Sequence, residues 1–148
     1  MIAVHHIKVK PMSNVLNDSE SLWIEINLHK KSCIIGLIYW HPGYDISAFT
    51  ENVKFFTISV IKSYNLSYVG TSTCTYCNRL QYYVNAYKSY NCSELITKPT
   101  RITPSSSTLI DHIYTTLPLD KVTFGILIND FSDHHPIFVS IKSAMFKK

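Results

Sequence analysis

Two acidic residues in the last forty positions are each followed by a histidine: Asp111 precedes His112, and Asp133 precedes His134. Neighbours in a strand point to opposite faces, so Asp111 and His112 serve different faces if that segment is a strand, whereas Asp133 and His134 can converge in a turn. A histidine oriented by one carboxylate, beside a second carboxylate, is the minimum set for general-base or metal-assisted hydrolysis. The pattern alone favours a plainer interpretation, a hydrogen-bonded Asp111 and a turn capped by Ser132 and Asp133.

The elements that must position these residues are mostly strands, judging by their hydrophobic pattern. Residues 22–28 alternate with period two and residues 33–40 form a continuous apolar run, which predicts a hairpin whose second strand is buried on both faces. Further strands are predicted at residues 2–10, 64–69, 109–115, 122–128 and 136–141, with loops at 71–78 and 103–107. Helices are predicted at 46–56, capped by Asp45 or Ser47, and at 79–90. Strands mixed with two helices indicate an α/β or α+β sandwich.

The composition limits the class of protein. The 148 residues are 46% hydrophobic and 16% charged, which suits one folded domain and argues against disorder. The net charge of +4 permits a nucleic-acid partner without requiring one. The longest apolar run, residues 33–40, is too short to cross a membrane, and the first residues do not resemble a signal peptide. We therefore expect an intracellular protein, nuclear or cytoplasmic and not secreted, with reduced cysteines.

Two other features are weaker candidates for function. Cys74 and Cys77 have the spacing of a zinc or redox motif, but a single pair without a second one favours ordinary thiols. The tyrosines of residues 82–90 could stack on bases, but their helical spacing is more typical of a helix that packs on the core.

Several segments resemble one known family, and they follow one another in that family's order. In the last third they are residues 97–101 (TKPTR), 107–114 (STLIDHIY), 125–127 (GIL) and 132–137 (SDHHPI). Upstream they are residues 20–26, 36–42 and 44–49. Together they resemble the apurinic-endonuclease-like domain of non-LTR (LINE-type) retrotransposons, within the endonuclease/exonuclease/phosphatase superfamily. The resemblance covers residues 20–53 and 92–141.

This resemblance implies a fold, a reaction and partners. The fold would be DNase I-like, with two mixed sheets face to face and helices outside them. Residues 1–148 would form a single partial domain that lacks the N-terminal strands. The ancestral reaction would be magnesium-dependent hydrolysis of a DNA phosphodiester, in a protein whose reverse transcriptase is encoded nearby.

The resemblance also implies roles for individual residues. His134 would activate water or hold the scissile phosphate, and Asp111 would orient its ring. Asp133 would lie near the divalent metal. Ser132 and Tyr39 would contact the phosphate. These are the residue types that stabilise an anionic, pentavalent transition state and position its attacking water.

The departures from the family pattern predict an impaired enzyme. Gly70 is followed by Thr71, where the family continues with an aspartate and, two residues later, an asparagine. The family's N-terminal metal-binding glutamate is absent, and Glu20 and Glu25 lie in the wrong strand to replace it. Trp40 stands where relatives often have arginine. A frameshift or internal deletion would explain the stretch after Gly70.

We therefore expect a truncated, degenerate endonuclease domain that binds magnesium weakly or not at all and is inactive as it stands. The alternatives are a weak, non-catalytic DNA-binding module and the product of a degenerate reading frame without a stable fold. The missing strands should leave an apolar face exposed along Ile24, Ile26, Ile35 and Leu37, together with a sheet edge available for self-association.

Overall fold

A computed structural model of the protein describes residues 8–11, 20–28, 31–39, 45, 47–48, 51, 55, 67–73, 88 and 91–142. Strands dominate these residues. In chain order they are β1 (Lys8–Pro11), β2 (Glu20–Leu28), β3 (Lys31–Tyr39), β4 (Ser67–Thr73), β5 (Ser93–Glu94), β6 (Arg101–Thr103), β7 (Ser106–Thr108), β8 (Asp111–Thr115), β9 (Val122–Ile126) and β10 (Ile137–Ile141). A 3-10 turn, Leu119–Lys121, leads into β9.

The described strands form three sheets. The largest has six strands in the order β1-β2-β3-β4-β8-β5, in which β3 and β4 run parallel and the other neighbours run antiparallel. Strands β9 and β10 pair antiparallel, as do β6 and β7. The predicted hairpin is confirmed, because β2 and β3 pair along their whole length from Glu20–Tyr39 to Leu28–Lys31.

One face of the six-stranded sheet is closed around Trp23. Trp23 lies opposite Gly36 in the register of β2 and β3, and the indole covers the space that a side chain would need. Ile34 and Ile38 are buried on either side of this contact. The absence of a side chain at Gly36 is therefore what lets the tryptophan lie flat on β3.

The other face of the sheet is only partly covered. At β8, Ile113 is buried in a cluster with Leu95, Ile96, Leu117 and Val122, and the β9–β10 hairpin packs against this cluster. Where β3 ends and β2 begins, the same face is open, with Leu37 51% exposed and Leu22 61% exposed, whereas Cys33 farther back on β3 is buried. The prediction that β3 is buried on both faces is therefore wrong. The predicted exposure is confirmed for Leu37 and not for Ile24, Ile26 and Ile35, which are half-buried.

Two predicted loops contain strands. Strand β4 continues through Gly70 to Thr73, since it pairs with β3 on one side and β8 on the other. Residues 101–108, predicted in part as a Pro/Ser loop, form the β6–β7 hairpin with a two-residue turn at Pro104 and Ser105. In both cases the hydrogen bonds come from partners that local propensity does not reveal.

The start of the first predicted helix is confirmed. The carboxylate of Asp45 accepts the backbone N–H of Ser47 at 2.8 Å, the contact of an N-cap, and Ser47, Ala48, Glu51 and Phe55 have helical backbones. The rest of that helix and nearly all of the second lie outside the described residues, as do Cys74, Cys77 and the tyrosine-rich run. Within the described residues, no helix is long and apolar enough to cross a membrane.

The edge of the large sheet is short. Strand β1 occupies it with four residues, Lys-Val-Lys-Pro, a composition that discourages further pairing because proline has no N–H to donate and charged residues oppose docking. Self-association through a sheet edge stays a prediction.

Candidate functional site

Asp111 and His134 meet where β8 begins. His134 precedes β10 in the chain, and its Nδ1 lies 3.3 Å from Oδ2 of Asp111. The Asp111 side chain is largely buried at 16% exposure, whereas the imidazole is 43% exposed. With Nδ1–H donating to the carboxylate, Nε2 remains as the second nitrogen of an oriented, accessible ring. The sequence-based expectation that these residues converge is met.

The turn that carries His134 is ordered by its own polar residues. The hydroxyl oxygen of Ser132 accepts the backbone N–H of His134 at 3.1 Å, and its O–H points to Oδ1 of Asp133 at 3.5 Å. Ser132 thus performs the turn-capping role that the sequence pattern alone favours. A contact between its hydroxyl and a phosphate stays a prediction.

Asp133 forms an ion pair that the sequence did not reveal. Nε of Arg101 donates to its Oδ2 at 2.7 Å. This hydrogen bond holds the pKa of the Asp133 carboxyl below its usual range. Both side chains are about two-fifths exposed. The carboxylate that resemblance assigns to the metal therefore has an arginine as its partner.

Backbone hydrogen bonds fasten the turn to β6. Arg101 and His134 face each other in an isolated antiparallel bridge. On one side of the bridge the N–H of Ile102 donates to the carbonyl of Asp133 at 2.8 Å, and on the other the N–H of His135 donates to the carbonyl of Thr100 at 2.7 Å. The position of the histidine is therefore set by the hairpin as well as by Asp111.

Thr100 connects the two halves of the site. Its fully buried hydroxyl oxygen accepts the backbone N–H groups of Ile110 at 3.2 Å and Asp111 at 3.0 Å. Its own N–H donates to the carbonyl of Thr108, and its carbonyl accepts from His135. In the sequence, Thr100 stands out only as part of the segment TKPTR that carries the resemblance, which does not identify it as a positioning residue. The available signal was a threonine immediately before a short strand.

Tyr39 lies at the same end of the sheet. Tyr39 is the last residue of β3 and pairs with Thr73 of β4, which in turn pairs with Asp111 of β8. Two strand spacings separate Tyr39 from Asp111, about 10 Å. Tyr39 is exposed and so belongs to the rim that Asp111, His134, Asp133 and Arg101 complete. We call these five residues the site rim.

His112 faces away from the rim, as alternation along the strand requires. It is 1% exposed, its Nδ1 lies 3.2 Å from Oε1 of Glu94, and its ring stacks on Tyr114 with centroids 5.9 Å apart. Burial lowers the pKa of His112, although Glu94 acts in the opposite direction. This second carboxylate–histidine pair belongs to the interior and not to the site rim.

The donor set of the rim does not suit magnesium. Mg²⁺ binds proteins through carboxylate oxygens together with its own water ligands. Within the described residues, no three His, Cys, Asp or Glu side chains are grouped so that they could hold a metal ion. Asp133 is engaged by Arg101, and β4, which ends at the rim, has the sequence SYVGTST without an acidic or amide residue.

Comparisons with known proteins agree on the fold. No protein-family profile and no curated protein match the sequence. Among solved structures, the endonuclease domain of TRAS1, a telomere-specific non-LTR retrotransposon, is similar with a TM-score of 0.72 and 15% identity, over 95% of this chain and 71% of that one. An endonuclease/exonuclease/phosphatase family protein from Bacteroides thetaiotaomicron is similar with a TM-score of 0.51 and 15% identity, over 82% of this chain and 54% of that one.

A third similar structure is the inositol polyphosphate 5-phosphatase domain of SPsynaptojanin, in complex with inositol (1,4)-bisphosphate and calcium ion. Its TM-score is 0.53 at 13% identity, over 95% of this chain and 57% of that one. The chain thus spans little more than half of two of these proteins and 71% of the first. The protein has the DNase I-like fold of the endonuclease/exonuclease/phosphatase proteins that the sequence resemblance implied. The helices outside the sheets stay a prediction.

Proposed function

We propose that the chain is part of a non-LTR retrotransposon endonuclease domain that binds the backbone of duplex DNA at the site rim and does not cleave it unaided. The observation that carries the proposal is the Asp111–His134 contact at the rim of a DNase I-like fold. The exposed Nε2 of His134 can donate to a phosphate oxygen when the ring is protonated and can accept from water when it is neutral. The ancestral reaction is magnesium-dependent phosphodiester hydrolysis.

The absence of cleavage follows from the donor set. Phosphodiester hydrolysis requires stabilisation of an anionic transition state and a positioned base for the attacking water. The rim provides one oriented imidazole, and its exposed carboxylate is paired with Arg101. The loss of a single group that stabilises the anionic transition state lowers a rate by about 10²–10³-fold. Binding can persist without these groups, because non-specific affinity for DNA is mainly electrostatic.

The proposal is tested by fluorescence anisotropy with a labelled duplex of about 20 base pairs, between about 50 and 200 mM salt. We expect the logarithm of the association constant to fall linearly with the logarithm of salt concentration, equally in magnesium and in EDTA. His134→Ala should lower affinity about 2- to 10-fold, the value of one hydrogen bond. The control is Leu119→Ala, an exposed side chain at the opposite end of the β9–β10 hairpin. Absence of binding at low salt would contradict the proposal.

A further inference from the structure

Arg101 and His134 are side-by-side neighbours by the rules of antiparallel pairing. The two hydrogen bonds that flank their bridge join Ile102 to Asp133 and His135 to Thr100, so Arg101 and His134 themselves exchange none. In such a pair the Cα atoms are about 4.5 Å apart, and the two side chains extend on the same face. The guanidinium of Arg101 and the imidazole of His134 therefore extend from neighbouring positions on the same face.

Arg101 has donors to spare. A guanidinium carries five N–H groups, and Asp133 takes the one on Nε. Within the part of the chain that the structure describes, no other acceptor contacts this side chain. It is 40% exposed. An exposed ion pair of this kind contributes little stability, so a phosphate oxygen can compete with the carboxylate. Arginine is also the residue that best matches phosphate geometry, with two parallel hydrogen bonds.

We infer that Arg101 and His134 form a metal-independent binding site for one phosphodiester group of a nucleic-acid backbone, with Asp133 as the internal acceptor that the phosphate displaces from Arg101. This inference rests on the proposed function and adds the residue that binds and the chemistry of what it binds. Asp133, which resemblance assigns to the metal, has the opposite role here: its charge opposes the ligand.

Two substitutions should change the affinity for duplex DNA in opposite directions when binding is measured in EDTA. Arg101→Gln should weaken duplex binding about 3- to 10-fold and reduce the salt slope by about one unit, as expected for one lost phosphate contact. Asp133→Asn should strengthen binding about 2- to 5-fold, because it removes a negative charge and releases the arginine. A metal ligand at Asp133 would give a loss of binding in magnesium and no gain in EDTA.

Matched controls exist in the same chain. Asp120 and Lys121 form another exposed pair, with Nζ to Oδ2 at 2.7 Å, at the opposite end of the β9–β10 hairpin. Four strand steps place them about 14 Å from the rim end. Lys121→Gln and Asp120→Asn change the net charge by the same amounts as Arg101→Gln and Asp133→Asn. We expect their affinities to stay within about twofold of the parent protein, since a distant charge is largely screened.

A second measurement separates this inference from the proposed function. Inorganic phosphate is titrated into the ¹⁵N-labelled protein in EDTA, and the Nε–H resonance of Arg101 is followed by NMR. We expect a saturable shift that is larger in Asp133→Asn. If DNA does not bind but phosphate shifts Arg101, the proposed function fails and the phosphate site stands. If Arg101 does not respond to phosphate, or if Asp133→Asn weakens binding in EDTA, the inference is overturned even where Arg101→Gln fails to fold.

Discussion

The buried hydroxyl of Thr100 should be the most costly single atom of the site to remove. Thr100→Val keeps the shape and burial of the side chain but leaves the N–H groups of Ile110 and Asp111 without their acceptor. An unsatisfied buried donor costs about 1–3 kcal/mol, so two of them should lower the free energy of unfolding by about 2–4 kcal/mol. That is a large share of the roughly 5–15 kcal/mol that stabilises an ordinary domain.

The measurement is urea unfolding followed by circular dichroism, with hydrogen exchange of the same two amides. Thr100→Ser keeps the oxygen and loses one methyl group, at a cost of about 1 kcal/mol. Thr115→Val is the matched control, because Thr115 is equally buried and its hydroxyl accepts a single backbone N–H, from Leu117 at 3.1 Å. We expect the loss in free energy of unfolding to be largest for Thr100→Val, smaller for Thr115→Val and smallest for Thr100→Ser. Equal costs for the two Thr100 variants, or unchanged exchange at Asp111, would refute the reasoning.

Three further substitutions or treatments give expected outcomes. Gly36→Ala should destabilise the fold by about 2–4 kcal/mol in thermal melts, because the new methyl group overlaps the buried indole of Trp23. Gly125→Ala should cost under about 1 kcal/mol, because its methyl group meets only the partly exposed ring of Phe138. Burial lowers the pKa of His112, so its contribution to the free energy of unfolding should be full above the ordinary histidine pKa of about 6.5 and fall as the pH drops below it. His112→Gln should flatten that fall in urea titrations between about pH 7.5 and 5.5. An unchanged dependence of stability on pH would contradict the assignment. Burial raises the pKa of Cys33 and Cys92 to about 11, so alkylation read by mass spectrometry should be slow at both until urea is added.

The strands with a clear pattern could be predicted from the sequence, and the site only in part. Period-two alternation and the apolar run predict β2 and β3 as strands, but the run wrongly predicts burial of β3 on both faces. A loop is predicted where the β6–β7 hairpin forms, because its proline and serines have no strand propensity. The two strands pair with each other, and backbone hydrogen bonds join β6 to the turn that carries His134.

The site residues divide in the same way. The residue types single out Asp111 and His134 as candidates, and the resemblance in two short motifs supplies their roles. Arg101 and Thr100 were missed because their roles depend on tertiary contacts: the Arg101–Asp133 pair joins residues 32 positions apart, and the Thr100 hydroxyl reaches residues 10 and 11 positions ahead. A sequence pattern cannot indicate which acid a distant arginine will meet.

The most direct test of the account is a plasmid-nicking assay with the purified protein in magnesium, run beside His134→Ala. The Asp111–His134 pair is in place, whereas the described part of the chain groups no three side chains that could hold a metal ion. We therefore expect that supercoiled plasmid is bound but not nicked, and that the parent protein and His134→Ala give the same background. Magnesium-dependent nicking that His134→Ala abolishes would contradict it.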